Sequence, residues 1–363
     1  MKPALVVVGP VPPPVHGVAV STALVLASAP LRARFEVTHL DTSDRRALDA
    51  MGAWDARNVR LALLHVARLD RALRRLRPGL VYLPISQGAG GFLRDALFIR
   101  DAVRRGWRVA VHLRGGEFRR FVRGLPAPMR GLVRSTLRRV HGAAVMGASL
   151  RDELSGFVAP EAIAVVPNGT PDEWAEASAG GRDPVVLFVG HLRARKGVEP
   201  AFEAARIVTR SDPNARVRFV GDWRDEALRR RIAARLPGED RIEFRPGATG
   251  EERARLLASA AVFLFPPIEP EGHPRVVIEA LAAGLPVVTT DRGAIRESVR
   301  DGVEGYVLPE PDPRVLAERI LGLLGDEEHR RRMGTAARAR YLAEFTQDRA
   351  DAVLADWLGR VAR

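Results

Sequence analysis

The strongest constraint on this chain is a repeated rhythm of short apolar runs. The first half carries "ALVVVGP" (4–10), "LVYLPIS" (80–86), "RVAVHLRG" (108–115) and "GAAVMGAS" (142–149), with amphipathic or basic segments between them. After residue 183 the rhythm restarts with "PVVLFVGHL" (184–192), "RVRFVGD" (216–222), "RIEFRPG" (241–247), "AVFLFPP" (261–267) and "LPVVTTD" (285–291). Continuous β-branched runs separated by helical stretches read as parallel strands covered on both faces. The expected fold class is therefore α/β, with two doubly wound, Rossmann-like domains facing a central cleft. A length of 363 residues agrees, because one core seldom grows that large. The expected boundaries are a first domain over 1–170, a linker over 171–183 and a second domain over 184–345. The linker falls in the small, polar stretch "NGTPDEWAEASAGGRDP". A C-terminal helix, 346–363, is left either with the second domain or packing back on the first.

Composition narrows the function. The chain has no cysteine, which excludes disulfides, thiol chemistry and cysteine-based zinc sites and suits a reducing cytoplasm. "ALVVVGP" is too short and too early for a signal peptide, and no later run reaches membrane-spanning length. The expected location is cytoplasmic, with peripheral attachment to the inner membrane face as a further expectation. The net charge of +13 is unevenly placed. Residues 1–170 hold 26 Lys/Arg against 12 Asp/Glu, and residues 171–363 hold 31 against 32. Such asymmetry suggests that the first half meets a polyanion.

In doubly wound sheets, ligands sit beyond the carboxyl ends of the strands, so residues just after each run are the candidates. "GPVPPPVHGV" (9–18) is not a dinucleotide fingerprint, but His16 and Gly17 precede a helix whose N–H groups could approach an anion. His112 ends a strand before Arg114-Gly115-Gly116 and could bond a sugar hydroxyl or move a proton. In "VGHLRARKG" (189–197), Gly190, His191, Arg193, Arg195 and Lys196 occupy a strand-to-helix loop. Lys196 is the only lysine besides Lys2 among 57 basic residues, and its ammonium is a compact charge suited to a phosphate. In "PPIEPEGHPRVVIEALAAGLPVVTTD" (266–291), Glu271 and Glu279 stand eight apart around a Gly-Pro loop and a helix start. A helix N-terminus offers free N–H donors and partial positive charge to a diphosphate.

These motifs resemble the donor-site signature of retaining, GT-B-fold glycosyltransferases of the family 4 type, also called glycosyltransferase group 1. "EGHPRVVIEALAAGLPVV" is similar to its E-x7-E element, "VGHLRARKG" to its V-G-R-L-x-x-x-K-G loop and "VVPNGT" to its P-N-G element. The resemblance implies a nucleotide-diphosphate sugar as donor and a carbohydrate or lipid-linked acceptor held by the first domain. It implies that Glu279 binds the ribose and Glu271 the sugar hydroxyls, while Gly272 and the stretch His273, Pro274, Arg275, Val276 and Val277 hold sugar and phosphates. Lys196 would neutralise the leaving diphosphate, Gly17 would face the same phosphates, and His112 would contact the sugar. The usual arginine after "VG" is His191 here. That leaves Arg193 or Arg195 as the second phosphate cation, with Arg195 preferred. No cofactor and no essential metal are implied.

Residues 118–140, "FRRFVRGLPAPMRGLVRSTLRRV", combine an apolar stripe with arginines. They are expected either to meet an anionic membrane surface or to pack on the core with a solvated arginine face. No nucleic acid is expected, because aromatic residues are only 6% of the chain and no nucleic-acid motif appears. The alternatives are a basic nucleic-acid- or membrane-surface-binding protein without enzymatic activity, and a sugar-nucleotide epimerase of similar outline.

Overall fold

The computed structural model describes residues 2–44, 56–174 and 183–363, with backbone alone at 56–58. Most of the linker expected at 171–183, residues 175–182, lies outside the described residues. The chain divides into two compact units. The first comprises Met1–Asn168 with Asp348–Arg363, and the second Gly169–Gln347.

The first unit holds β1 (Ala4–Gly9), β2 (Glu36–Asp41), β3 (Leu80–Ile85), β4 (Arg108–Leu113), β5 (Gly142–Val145) and β6 (Ile163–Val165). They form one parallel sheet in the order β2-β1-β3-β4-β5-β6, whose direction of growth reverses between β1 and β3. Leu5, Tyr82 and Ala110 on these strands share a core with Trp357, Leu358 and Val361 of the closing helix Gln347–Val361.

The second unit holds β7 (Val185–Val189), β8 (Arg216–Val220), β9 (Ile242–Arg245), β10 (Val262–Phe265), β11 (Val287–Thr290) and β12 (Gly305–Leu308). Their order is β12-β11-β10-β7-β8-β9. Counted within the unit this is 3-2-1-4-5-6, one of the two common doubly wound orders, with its switch point between β7 and β10. Phe188, Phe219, Phe263 and Phe265 are almost completely buried here, each contributing about 2 kcal/mol of apolar transfer free energy. The α/β class and the doubling of the sheet agree with the apolar rhythm.

Three strands escape that rhythm: β2, β6 and β12. All are sheet edges. An edge strand is solvated on one side, so "EVTHLD" alternates polar and apolar residues, and β6 is only three residues long.

The stretch 118–140 is two helices, Phe118–Arg123 and Ala127–Leu137. Phe118, Val122, Val133 and Leu137 of its apolar stripe are buried in the core. Arg120, Arg123, Arg130, Arg134, Arg138 and Arg139 are exposed. Met129, Leu132 and Val140 of the stripe are half-buried, so the apolar stripe packs in part on the core while the arginines stay solvated. Among the described residues, no helix is long and apolar enough to cross a membrane.

Candidate functional site

The second unit gathers its polar groups at the switch point. Lys196 lies in a single tight turn, Ala194–Lys196, after β7, and Glu271 lies in the loop after β10. The Lys196 Nζ donates to both carboxylate oxygens of Glu271, each at 2.7 Å. It also sits 5.4 Å from the centroid of the Phe265 ring, which favours a cation over its face.

Two glycines permit this approach. Gly197 has φ +72°, and a Cβ there would lie 1.7 Å from the Pro266 carbonyl oxygen. Gly293 has φ +67°, and its Cβ would lie 1.6 Å from the Glu271 carbonyl oxygen. Only glycine fits both the left-handed backbone and the contact. The β10 loop is held further by the Thr289 hydroxyl, which donates to the Phe265 carbonyl at 2.6 Å, and by Ile268 N, which donates to the Arg195 carbonyl at 3.0 Å.

The helix Arg275–Ala282 follows at once. Its cap, Pro274, offers no side-chain acceptor to the first-turn N–H groups. Glu279 lies on this helix, 8% exposed, with its carboxylate 2.7 Å from Arg253 Nη2 of the helix Gly250–Ser259. Burial raises the Glu279 carboxyl above the usual range, although Arg253 and Arg275 pull the other way. Arg253 was not singled out from sequence. It sits in "GEERARLLAS", which reads as an ordinary charged helix.

Three other sequence candidates, His273, Arg275 and Arg195, have side chains with partners of their own. His273 is enclosed, with Nε2 2.6 Å from the Ser298 hydroxyl and its ring 5.3 Å from that of Phe345. Burial lowers it to about 4, so it is neutral at physiological pH. Its backbone remains at the helix mouth while its side chain is part of the core. The guanidinium of Arg275 donates to the Gly169 carbonyl, at the start of the unit. Arg195 is exposed, with its guanidinium 3.7 Å from Glu269. Val277 is buried and Val276 half-buried. Gly190, at the end of β7, donates through its N–H to the Val220 carbonyl at 3.0 Å, and Gly272 accepts from Ala294 N at 3.2 Å.

In the first unit the His16 Nδ1 accepts from Ala19 N at 3.4 Å and so caps the helix Gly17–Ala27. Burial lowers His16, which keeps that nitrogen free to accept. The space around the Gly17 Cα is open. His112, on β4, is only 1% exposed. Its Nδ1 is 2.9 Å from the Tyr82 hydroxyl, and Trp357 meets its ring edge-on at 6.2 Å. Arg114 donates to that same hydroxyl and to the Asn168 side-chain oxygen, both at 2.9 Å. Burial first, then Arg114, holds His112 well below the usual histidine range. It is a buried, neutral histidine held in a polar network at the end of β4.

Comparison with known proteins bears on the same half of the chain. Residues 171–340 match the family described as glycosyl transferases group 1. The amylovoran biosynthesis glycosyltransferase AmsK of Erwinia amylovora is 33% identical over 182 residues, covering 49% of this chain and 45% of AmsK. The putative colanic acid biosynthesis glycosyltransferase WcaL of Salmonella typhimurium is 31% identical over 208 residues, covering 55% of this chain and 51% of WcaL. The matched stretch thus spans about half the length of these curated relatives. The crystal structure of Anabaena HepE in complex with UDP superposes with a TM-score of 0.75 at 18% identity, covering 99% of this chain and all of HepE. At that identity it is the GT-B fold that is shared.

Proposed function

Because the chain belongs, through residues 171–340, to the glycosyl transferases group 1 family, we propose that it is a retaining glycosyltransferase that takes its sugar from a nucleoside diphosphate. The observation that carries this reading is the Lys196–Glu271 pair across the β7/β10 switch point, beside the start of the helix Arg275–Ala282. A buried carboxylate and a compact cation at a helix N-terminus suit a ligand that is anionic at one end and rich in hydroxyls at the other.

In this reading the donor diphosphate competes with Glu271 for the Lys196 ammonium. Glu271 then accepts bonds from sugar hydroxyls, and Glu279 accepts from the ribose. The bond from the anomeric carbon to the diphosphate oxygen breaks, and a new bond to the acceptor oxygen forms on the same face of the sugar. The acceptor's proton passes to the departing phosphate. Lys196 and the helix N–H groups stabilise the charge that accumulates on the leaving group, a contribution that grows in a water-poor site. The acceptor class is a carbohydrate or lipid-linked hydroxyl of cell-surface polysaccharide, lipopolysaccharide or glycolipid. AmsK and WcaL, which carry polysaccharide names, support this reading.

The test is to incubate the full chain with UDP-, GDP-, ADP- and TDP-sugars in the presence of EDTA and follow release of nucleoside diphosphate. Release from one donor, lost in Lys196→Ala, is the expected result. Release that requires a divalent metal would contradict the charge assignment, and no release from any donor would contradict the reading.

A further inference from the structure

We propose that the outer face of the helix Ala56–Arg75 in the first unit docks the protein on an anionic phospholipid surface. This goes beyond the donor-site reading, because lipid binding needs no sugar transfer. The order of residues around the helix comes first. His65, Leu69 and Leu73, spaced by four, are buried and mark the inner side. Away from it, two ridges run along the helix. One carries Val59, Leu63 and Ala67, the other Leu64, Arg68, Arg71 and Arg75, and Arg60 lies between them at the amino-terminal end. All eight residues are exposed.

A helix that only covers a core keeps its outer side polar. Here Val59, Leu63 and Leu64 are 50%, 60% and 45% exposed, and they fall within two turns. Large apolar residues exposed singly need no explanation, whereas a cluster of them marks a contact surface. The helix Ala127–Leu137 of the same unit makes the difference plain. It exposes Arg130 and Arg134 but no large apolar residue.

Charge selects the partner. Asp70 is the only acidic residue in 59–75, and it is engaged by Arg74 at 2.8 Å and by Arg105. Arg60, Arg68, Arg71 and Arg75 are therefore left without a carboxylate on their own helix. A partner for both leucines and arginines must offer hydrocarbon beneath a layer of negative charge, as an anionic bilayer does. A nucleic acid supplies the charge without the hydrocarbon. A second copy of this chain, related by a two-fold axis, would set this basic face against itself.

The experiment is flotation of the full chain, at low salt, with vesicles of phosphatidylcholine alone or mixed equally with phosphatidylglycerol. Wild type is expected to float with the mixed vesicles and not with phosphatidylcholine alone. Glutamine is the replacement throughout, because its helix propensity is close to that of leucine and arginine. Leu63→Gln with Leu64→Gln is expected to weaken binding at least about tenfold. Arg68→Gln with Arg71→Gln is expected to weaken it about twentyfold. Arg134→Gln with Arg138→Gln removes the same charge from another exposed helix end and is expected to stay within about threefold of wild type. All three double variants are expected to unfold at the wild-type midpoint, which separates lost binding from lost folding. No flotation of wild type with the mixed vesicles would overturn the proposal. So would equal losses in the two arginine pairs, which would mean unspecific attraction to the basic unit, or wild-type binding in the leucine pair. A dimer in sedimentation equilibrium that the leucine pair abolishes would overturn it in favour of a second copy. Each of these results leaves nucleotide release untouched, so the glycosyltransferase reading stands or falls separately.

Discussion

The two units place polar residues at the carboxyl ends of similar parallel strands, yet these residues end in opposite conditions. At the end of β4, His112 is enclosed by Tyr82 and Trp357, neutral, and bonded into a network with Arg114. At the β7/β10 switch point, Lys196 and Glu271 form an ion pair with side chains 20% and 10% exposed. A strand end is a location, and what it can do depends on whether charge survives there. Burial removes the charge from a lone histidine, whereas at the switch point an ammonium and a carboxyl group face each other at 2.7 Å, so each has an opposite partner. The basic excess of the first half shows the same division. Most arginines of 118–140 face solvent, Arg119 being the half-buried one, while the cations nearest the proposed chemistry belong to the half with almost no net charge.

That contrast can be broken by substitution. The largest effect is expected from Lys196→Ala, which should lower turnover by about a thousandfold, the upper range for removing one group that stabilises leaving-group charge. A steady-state assay of nucleotide release reads it, and a loss below about tenfold would remove the lysine from the centre of the account. Gly197→Ala tests the backbone beneath it. The left-handed φ and the clash with the Pro266 carbonyl are expected to cost about 3 kcal/mol of stability, measured by denaturant unfolding.

The third effect uses the enclosed histidine of the second unit. His273 is depressed from 6.5 to about 4 in the folded protein. Its contribution to stability is therefore present above pH 6.5 and is lost as pH falls through that window towards 4. Wild type should lose about 2 kcal/mol by pH 5 from this group alone. His273→Gln should show a shallower slope between pH 6.5 and 5, and an identical slope would show that the imidazole is not enclosed.

Glu279→Gln is expected to weaken binding of a ribonucleotide about tenfold. Because burial raises the Glu279 carboxyl, its ionisation is costlier in the folded state. Wild type should lose stability relative to Glu279→Gln as pH rises from about 4.5 through the raised value. A difference that is flat in pH would contradict the buried carboxyl. The smallest effect belongs to the first unit, where His112→Gln should leave diphosphate affinity within about twofold of wild type.

Much of this was legible in the sequence, for physical reasons. Central parallel strands must be apolar on both faces, so eight of the nine apolar runs became strands flanked on both sides, and the ninth, β9, is a sheet edge. Edge strands β2, β6 and β12 carry no such requirement and left no run. Lys196 stood out because lysine is rare among 57 basic residues. Arg253 did not, because arginine is everywhere in this chain and only tertiary pairing distinguishes one from another. His112 and His273 were visible as residues, but burial, which decides their charge, was not.

The most direct test of the central claim is a calorimetric titration of UDP, GDP, ADP and TDP into wild type, Lys196→Ala and His112→Gln. The account predicts that one diphosphate binds wild type, that Lys196→Ala weakens it at least about tenfold, and that His112→Gln leaves it within about twofold. Equal losses in the two variants, or no diphosphate bound by wild type at millimolar concentration, would contradict it.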